Sequence, residues 1–139
     1  LVDFCEQNFL DLISNINASE ADELEKVKRI IILLVSFSEK NPGLARLLTR
    51  EAFSVEETSL DERIGQMMAK IELQIKQNLQ KYEQETKRKL ALPTASAANL
   101  LLASSEGVIQ QFVRSGFKDS PSKRINDQSE FLISSLKLS

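Results

Sequence analysis

Apolar side chains recur every three or four residues along most of the chain. In the first segment these positions are Leu1, Phe4, Cys5, Phe9, Leu12, Ile13 and Ile16. Such spacing places side chains on one face of an α-helix, and it predicts a first helix over residues 1 to about 17. Because no stretch alternates with a period of two and no Asn-Gly or Asp-Gly pair marks a hairpin, we expect an all-α fold.

A second helix is expected to end at about Lys40. Ser19 followed by Asp22 resembles a capping box, in which Ser19 is the N-cap and the acidic residue lies at the third helical position. The middle of this segment, residues 30–35, is apolar on every side. A helix with that pattern is typical of the centre of a bundle, where neighbours cover all of its faces.

Asn41-Pro42-Gly43 ends the second helix and begins a third over residues 42 to about 50. Proline cannot continue a helix but suits the first turn of the next one, with Asn41 placed as its N-cap. Residues 52–58 are acidic and weakly patterned, and a loop or bend is expected there.

A long amphipathic helix is predicted from about Ser59. Its apolar positions, again three or four apart, are Leu60, Ile64, Met67, Ile71, Ile75, Leu79 and Tyr82. Its end, residues 83–89, is charged on all sides and includes Lys87, Arg88 and Lys89. Glutamates accompany these basic residues, which favours a solvated helix end over a basic binding patch.

Two further helices are predicted, over residues 94 to about 117 and roughly 122–137. Small residues in the first of them, such as Ala103 and Gly107, permit close approach of another helix on more than one side. The pair could therefore form a four-helix bundle with the same pair of a second copy. Burial of both faces inside one chain explains the pattern equally well. The candidate interface residues are Leu102, Ser105, Val108, Ile109, Phe112, Phe117, Phe131 and Leu132.

The composition indicates one globular domain. Of the 139 residues, 42% are hydrophobic and 27% are charged, and the formal net charge is -2. A slightly acidic chain lacks the basic face that holds nucleic acid through its phosphates. No segment reaches the roughly 20 apolar residues that span a bilayer, so no membrane contact is expected. The chain begins at Leu1 inside a helical pattern, and we expect it to be a fragment of a longer protein.

The residue types present argue against catalysis. The chain has no histidine and one cysteine, so neither a zinc site of nitrogen and sulfur ligands nor a Ser-His or Cys-His pair can be assembled. Cys5 itself is predicted to be a small buried side chain. Ser120 to Lys123 matches S-x-x-K without its companion motifs, and the acidic residues from Glu20 to Glu25 fall where a helix start stabilises negative charge. We expect no enzyme, no cofactor and no metal.

Two stretches resemble the SlmA family of TetR-type nucleoid-occlusion factors. They are Phe37-Ser38-Glu39-Lys40-Asn41-Pro42-Gly43-Leu44-Ala45-Arg46-Leu47-Leu48-Thr49 and Glu106-Gly107-Val108-Ile109-Gln110-Gln111-Phe112-Val113-Arg114-Ser115-Gly116-Phe117-Lys118. The second stretch is similar to the dimer helix of that family. Both lie in the expected order, and the helices between them match in number and length. The resemblance therefore covers essentially the whole chain, residues 1–139, as a C-terminal dimerisation and partner-binding domain.

The resemblance implies a TetR-type bundle of about six helices that dimerises through its last two long helices. Members of the family are cytoplasmic, nucleoid-associated homodimers. Their N-terminal helix-turn-helix domain binds DNA, and it would precede Leu1, so this chain is not expected to bind DNA by itself. Their C-terminal domain engages the C-terminal tail of the cell-division GTPase FtsZ, and the DNA-bound protein antagonises FtsZ polymers over the chromosome.

In the family the FtsZ tail docks in a groove between the first two helices of this domain. The matching positions are Phe4, Leu12, Leu33, Ser36, Lys40 and Asn41. Relatives carry arginine at positions 12 and 40 and glycine at position 36. Lys40 keeps the charge without the two-pronged hydrogen bonding of arginine, whereas Leu12 removes a charge. An apolar floor beside a cation suits a short peptide with apolar anchors and an acidic residue.

A second hypothesis is the ligand-responsive domain of a TetR-type transcriptional repressor. In that case the long helix and its neighbours enclose a small-molecule pocket. A large apolar cavity with inward polar groups would favour this hypothesis, whereas a tightly packed bundle would favour protein binding.

Overall fold

A computed structural model of the chain describes residues 2–49 and 58–138. Its α-helices are α1 (Val2–Asn17), α2 (Glu23–Lys40), α3 (Pro42–Thr49), α4 (Thr58–Thr86), α5 (Thr94–Arg114) and α6 (Ile125–Leu136), and a 3-10 turn, Pro121–Lys123, precedes α6. The described residues contain no strand, only an isolated bridge between Leu90 and Lys137. The prediction of an all-α chain of about six helices is confirmed. The expected loop at 52–58 lies, apart from Thr58, outside the described residues.

The helix α2 lies at the centre of the bundle. It packs against α1, α3, α4, α5 and α6. Val27, Ile30 and Val35 have no accessible surface, while Leu33 on the outer side of α2 is only partly buried. The apolar run at 30–35 is therefore a central helix, as its pattern predicted, because every neighbour covers one of its sides.

The long helix α4 buries one stripe of side chains against α2 and α5. Ile71, Ile75 and Leu79 are at most 1% exposed. Burial of each such side chain contributes roughly 1.5–3 kcal/mol, and the stripe accounts for the position of α4. None of the helices within residues 2–49 and 58–138 is long and apolar enough to cross a membrane.

The end of α4 differs from the prediction. The helix stops at Thr86, and Lys87 adopts a left-handed φ of 59°. Glu83 then ties down the following segment, because its Oε2 accepts a hydrogen bond from the Leu90 amide at 2.8 Å. Residues 87–89 are thus exposed and lie in an irregular segment after the helix.

The caps of α2 also differ from the prediction. Its N-cap is Asp22, whose carboxylate accepts a hydrogen bond from the Glu25 amide at 2.9 Å. Ser19 instead closes α1, since its hydroxyl donates to the Ile16 carbonyl at 2.6 Å. Asn41 closes α2, because its side-chain amide donates to the Phe37 carbonyl at 2.7 Å. Both side chains therefore satisfy carbonyls at a helix end and do not cap the next helix start.

The helix α5 ends three residues earlier than predicted. Gly116 and Phe117 follow with left-handed φ values of 70° and 64°, and the Phe117 amide donates to the Phe112 carbonyl at 3.0 Å. This geometry is typical of a glycine-containing helix end. The Phe117 ring meets Phe112 edge-on at 5.3 Å and lies 5.1 Å from the Arg46 guanidinium. The turn into α6 is thereby fixed against α3 and α5.

Candidate functional site

The helices α1 and α2 lie side by side and share a buried seam. Phe9 of α1 meets Phe37 of α2 edge-on, with ring centroids 6.0 Å apart. Cys5 and Ile13 are buried on the same side of α1 as Phe9. Cys5 is thus the small buried side chain that the sequence predicted.

The predicted groove residues lie on the outer sides of these two helices. On α1, Phe4 is 70% exposed and Leu12 is 39% exposed. On α2, the residues Leu33, Ser36 and Lys40 are spaced by three and four and so share one side. Leu33 and Ser36 are half-buried, and Lys40 is exposed. The predicted groove residues thus include two accessible apolar side chains on α1 and a cation at the end of the neighbouring helix α2. Asn41, the sixth residue, caps α2 as described above.

The charge of Lys40 lies beside the carboxylate of Glu39 and helps to lower the pKa of that group. The part of the chain that the structure describes offers Lys40 no ion pair. The adjacent carboxylate of Glu39 accepts hydrogen bonds from the Ser120 hydroxyl and the Ser122 amide in the α5–α6 connection. Burial alone would raise the pKa of Glu39, but these hydrogen bonds outweigh it and hold the pKa below its ordinary value. The Ser120 hydroxyl thus donates to Glu39, while the contact between Ser120 and Lys123 is a backbone hydrogen bond from the Lys123 amide to the Ser120 carbonyl at 3.4 Å.

A second accessible apolar surface lies between α5 and α6. It is a concavity of about 490 Å³, and its lining residues are Ser104, Gly107, Val108, Gln111, Asp127, Gln128, Phe131 and Leu132. Phe131 is 71% exposed, whereas Val108 and Leu132 are partly buried. Three of the eight predicted interface residues therefore meet on one surface, which we call the α5–α6 face.

The structure corrects the interface prediction for four other residues. Leu102, Ser105, Ile109 and Phe112 are at most 4% exposed within a single chain. They lie on the sides of α5 that pack against the rest of the bundle, so they have almost no surface left to contribute to a second copy. Phe117 is half-buried against Phe112 and Arg46. Periodicity identified the apolar positions of α5, but it could not tell which side its own bundle covers.

Sequence reasoning missed a polar cluster where α1, α2 and α4 meet. Glu23, Lys26 and Asn78 are all buried, and Asn78 lies three residues after Ile75 in the buried stripe of α4. The acidic residues near Glu23 were interpreted only as stabilising the helix start. An amide inside an apolar stripe is the signal that could have found the cluster, because buried polar groups require partners.

The interior of the bundle is closely packed. Val27, Ile30, Ile71 and Leu79, which come from the two helices at the centre, have 0% accessible surface. A side chain that no water-sized sphere touches cannot line a cavity. Around these four side chains, α2 and α4 therefore leave no cavity that a water-sized sphere could enter.

This arrangement of helices is that of the C-terminal domain of a TetR-type regulator. The crystal structure of the transcriptional regulator FadR from Bacillus subtilis in complex with stearoyl-CoA is similar, with a TM-score of 0.75 and 16% sequence identity over 96% of this chain and 73% of that chain. The SlmA-like family model, described as tetracyclin repressor-like, C-terminal domain, matches residues 21–137. The chain belongs to this SlmA-like family, as the two sequence stretches indicated.

Several relatives share the sequence over nearly its full length. The nucleoid occlusion factors SlmA of Shewanella halifaxensis and Shewanella woodyi are each 40% identical to it over 132 residues, and that of Shewanella pealeana is 39% identical. Each alignment covers 95% of this chain and 67% of the relative. The chain therefore spans about two thirds of the length of these relatives.

Proposed function

We propose that this chain is the regulatory domain of a nucleoid-occlusion factor. It forms a homodimer and binds the C-terminal tail of FtsZ, and the whole protein, held on DNA by an N-terminal helix-turn-helix domain, antagonises Z-ring assembly over the chromosome. The observation that carries this proposal is the 40% identity to nucleoid occlusion factors over 132 residues. The protein then acts in the cytoplasm at the nucleoid.

The geometry of α1 and α2 supports tail binding. Phe4 and Leu12 offer apolar surface that the chain itself does not cover. Lys40 supplies a cation at the end of α2 that forms no ion pair within residues 2–49 and 58–138, and the partial negative charge of a helix C-terminus stabilises a cation there. An extended peptide with apolar anchors and one acidic residue matches both features.

The packed interior favours protein binding over the ligand-responsive hypothesis. The FadR structure is a complex with stearoyl-CoA. In the present bundle Ile71 and Leu79 of α4 lie against α2 without any accessible surface. A ligand placed between α2 and α4 at this stripe would have to displace these side chains, at a cost of several kcal/mol for the lost packing.

The tail interaction is tested with a fluorescent peptide of the FtsZ C-terminal tail, titrated with the protein and followed by anisotropy. We expect Lys40→Glu to weaken binding at least several-fold, because it places a negative charge beside the acidic residue of the peptide. Phe4→Ala removes an apolar anchor and should weaken binding by a similar factor.

Two controls match these variants at distant sites. Lys137→Glu makes the same charge change just after α6, and Leu73→Ala shortens an exposed apolar side chain of α4. Both should bind the peptide as the unaltered protein does. Unchanged affinity in Lys40→Glu would contradict the groove, and failure of the unaltered protein to bind the tail would contradict the proposed function.

A further inference from the structure

The connection between α5 and α6 carries a concentration of positive charge. Residues 114–124 contain four basic residues and one acidic residue, although the whole chain has a formal net charge of -2. All four basic side chains are exposed. Arg124 pairs with the Asp119 carboxylate at 2.8 Å. The other three form no ion pair with any residue that the structure describes, and they are Arg114, Lys118 and Lys123.

This connection lies against the end of α2, where the groove cation Lys40 is found. The Glu39 carboxylate accepts hydrogen bonds from the Ser120 hydroxyl and, at 3.4 Å, from the Ser122 amide. Lys40 directly follows Glu39 in the sequence. Lys123 directly follows Ser122, so the two exposed lysines flank the same hydrogen bond. The positive charge at the end of α2 therefore continues onto the α5–α6 connection.

The helix α3 adds a further cation at the same end of the bundle. The Arg46 guanidinium lies 5.1 Å from the centroid of the Phe117 ring, and Lys118 is the next residue along the chain. The turn that carries Lys118 is fixed, because the Ser115 hydroxyl accepts hydrogen bonds from the amides of Lys118 and Asp119 at 3.2 and 2.9 Å. Six exposed cations thus surround this connection, and we call them the basic end: Lys40, Arg46, Arg114, Lys118, Lys123 and Arg124.

The acidic residues nearby do not balance this charge. Glu39 and Asp119 are two carboxylates against six cations. Asp127, at the start of α6, lines the α5–α6 face, and Glu6 of α1 pairs with Lys70 of α4 at 2.8 Å. Clustered charges of one sign repel one another and destabilise the compact chain, while they attract a partner of the opposite sign. An acidic partner would remove the repulsion.

We propose that the basic end binds acidic residues of the same partner segment that the α1–α2 groove anchors. The docking surface then runs from the groove, over the end of α2, onto the α5–α6 connection. The proposal rests on the proposed function, in which Lys40 receives an acidic residue of the partner. Since Lys40 belongs to both the groove and the basic end, a chain that leaves the groove at the end of α2 lies beside Lys123.

An acidic polypeptide fits this surface better than a nucleic acid does. The groove part of the surface offers the apolar side chains Phe4 and Leu12, which a phosphate backbone leaves uncovered. The Phe117 ring at the basic end is half-buried and has Arg46 over its face, so it offers bases little surface for stacking.

Extended peptides test the basic end. Fluorescent FtsZ tail peptides are lengthened at either end by a run of glutamates or, as the uncharged control, by a run of glutamines. Each is titrated with the protein at low salt and followed by anisotropy. An exposed ion pair contributes up to about fivefold in affinity, and we expect the glutamates at one of the two ends to tighten binding about tenfold over the glutamines. This gain should shrink as the salt concentration rises.

The double variant Lys118→Glu/Lys123→Glu should abolish the gain and leave the affinity for the glutamine-extended peptides within about twofold of the original. Both side chains are exposed, and the turn is held by backbone amides, so the fold is kept. The matched control is Lys87→Glu/Lys137→Glu, which makes the same two charge changes after the ends of α4 and α6. It should keep the gain.

Three results would overturn the inference: no gain from glutamates at either end, the same gain in Lys118→Glu/Lys123→Glu, or tighter binding of a short DNA duplex than of the glutamate-extended peptides. The proposed function and the basic end also fail separately. A tail peptide that does not bind contradicts the proposed function. A fluorescent oligoglutamate without the tail sequence should still bind the basic end, with a Kd of about 1 mM or lower, and its failure to bind contradicts the basic end.

Discussion

The α5–α6 face makes a quantitative prediction about self-association. Phe131 is the most exposed large apolar side chain on this face, and Val108 and Leu132 border it. We expect Phe131→Ala to weaken the homodimer strongly while the folded chain keeps its stability. The reason is that the ring, 71% exposed, contributes little to its own bundle, whereas a second copy covers it in the proposed homodimer.

The expected size follows from the exposed fraction of the ring. A phenylalanine side chain has roughly 200 Å² of accessible surface, so 71% exposure leaves about 140 Å² for an interface. At ~25 cal/mol per Å², covering that area contributes about 3.5 kcal/mol for each copy. A twofold interface contains the ring twice, which would double this contribution. The loss is smaller than the doubled value because alanine keeps part of the buried surface and because the partner does not cover the whole ring. We expect a loss of about 3 kcal/mol, or a dimer weakened roughly 100-fold.

Sedimentation equilibrium measures this change directly, as the dimer dissociation constant over a range of protein concentrations. The matched control is Phe4→Ala, which removes an equally exposed phenylalanine, 70% accessible, from α1. Its dimer constant should be unaltered. The reasoning fails if the unaltered protein is a stable monomer at tens of micromolar, or if both alanine variants change the dimer constant by the same factor.

Two further predictions concern stability, measured by urea unfolding. Asp22→Ala should cost about 1 kcal/mol because it removes the N-cap of α2, and Ser19→Ala should cost less; equal costs would contradict the assigned cap. Glu39→Gln should cost about 1 kcal/mol at pH 7, where the charged carboxylate accepts hydrogen bonds from Ser120 and Ser122. Because the pKa of Glu39 is lowered in the folded state, this stability is present above the ordinary value of about 4.3 and is lost as the pH falls through the folded pKa. A cost of Glu39→Gln that stays constant from pH 7 to the acid side would contradict the assignment.

Helix positions were largely predictable, but helix ends were not. The buried stripe of α4 requires an apolar side chain at every third or fourth residue, because each buried position stabilises the fold. That repeated requirement is visible in the sequence. A cap depends on one or two hydrogen bonds, and the same side chain can serve the helix before it or the helix after it. Ser19 and Asn41 took the first option, because the carbonyls at the ends of α1 and α2 needed donors.

The groove residues could be predicted from the sequence, whereas the buried polar cluster could not. The resemblance named the groove residues, and the structure places Phe4, Leu12 and Lys40 where a partner can reach them. The polar cluster around Glu23 was not predictable in the same way, since Asn78 is 55 residues away from Glu23 along the chain. Asn78 alone shows only that an amide lies within a buried stripe, and no local pattern shows that Glu23 is its partner.

The sequence by itself determined the helical class, the order of the helices, the buried Cys5 and the family, because these depend on local spacing and on short stretches of residues. The tertiary structure decided which side of each helix faces inward. Small and apolar residues lie on several sides of α5. Only the packing of the bundle shows that Leu102 and Ile109 are interior while Val108 remains partly accessible. A helical pattern predicts that a side chain is buried. Which helix buries it depends on contacts between residues that are distant in the chain.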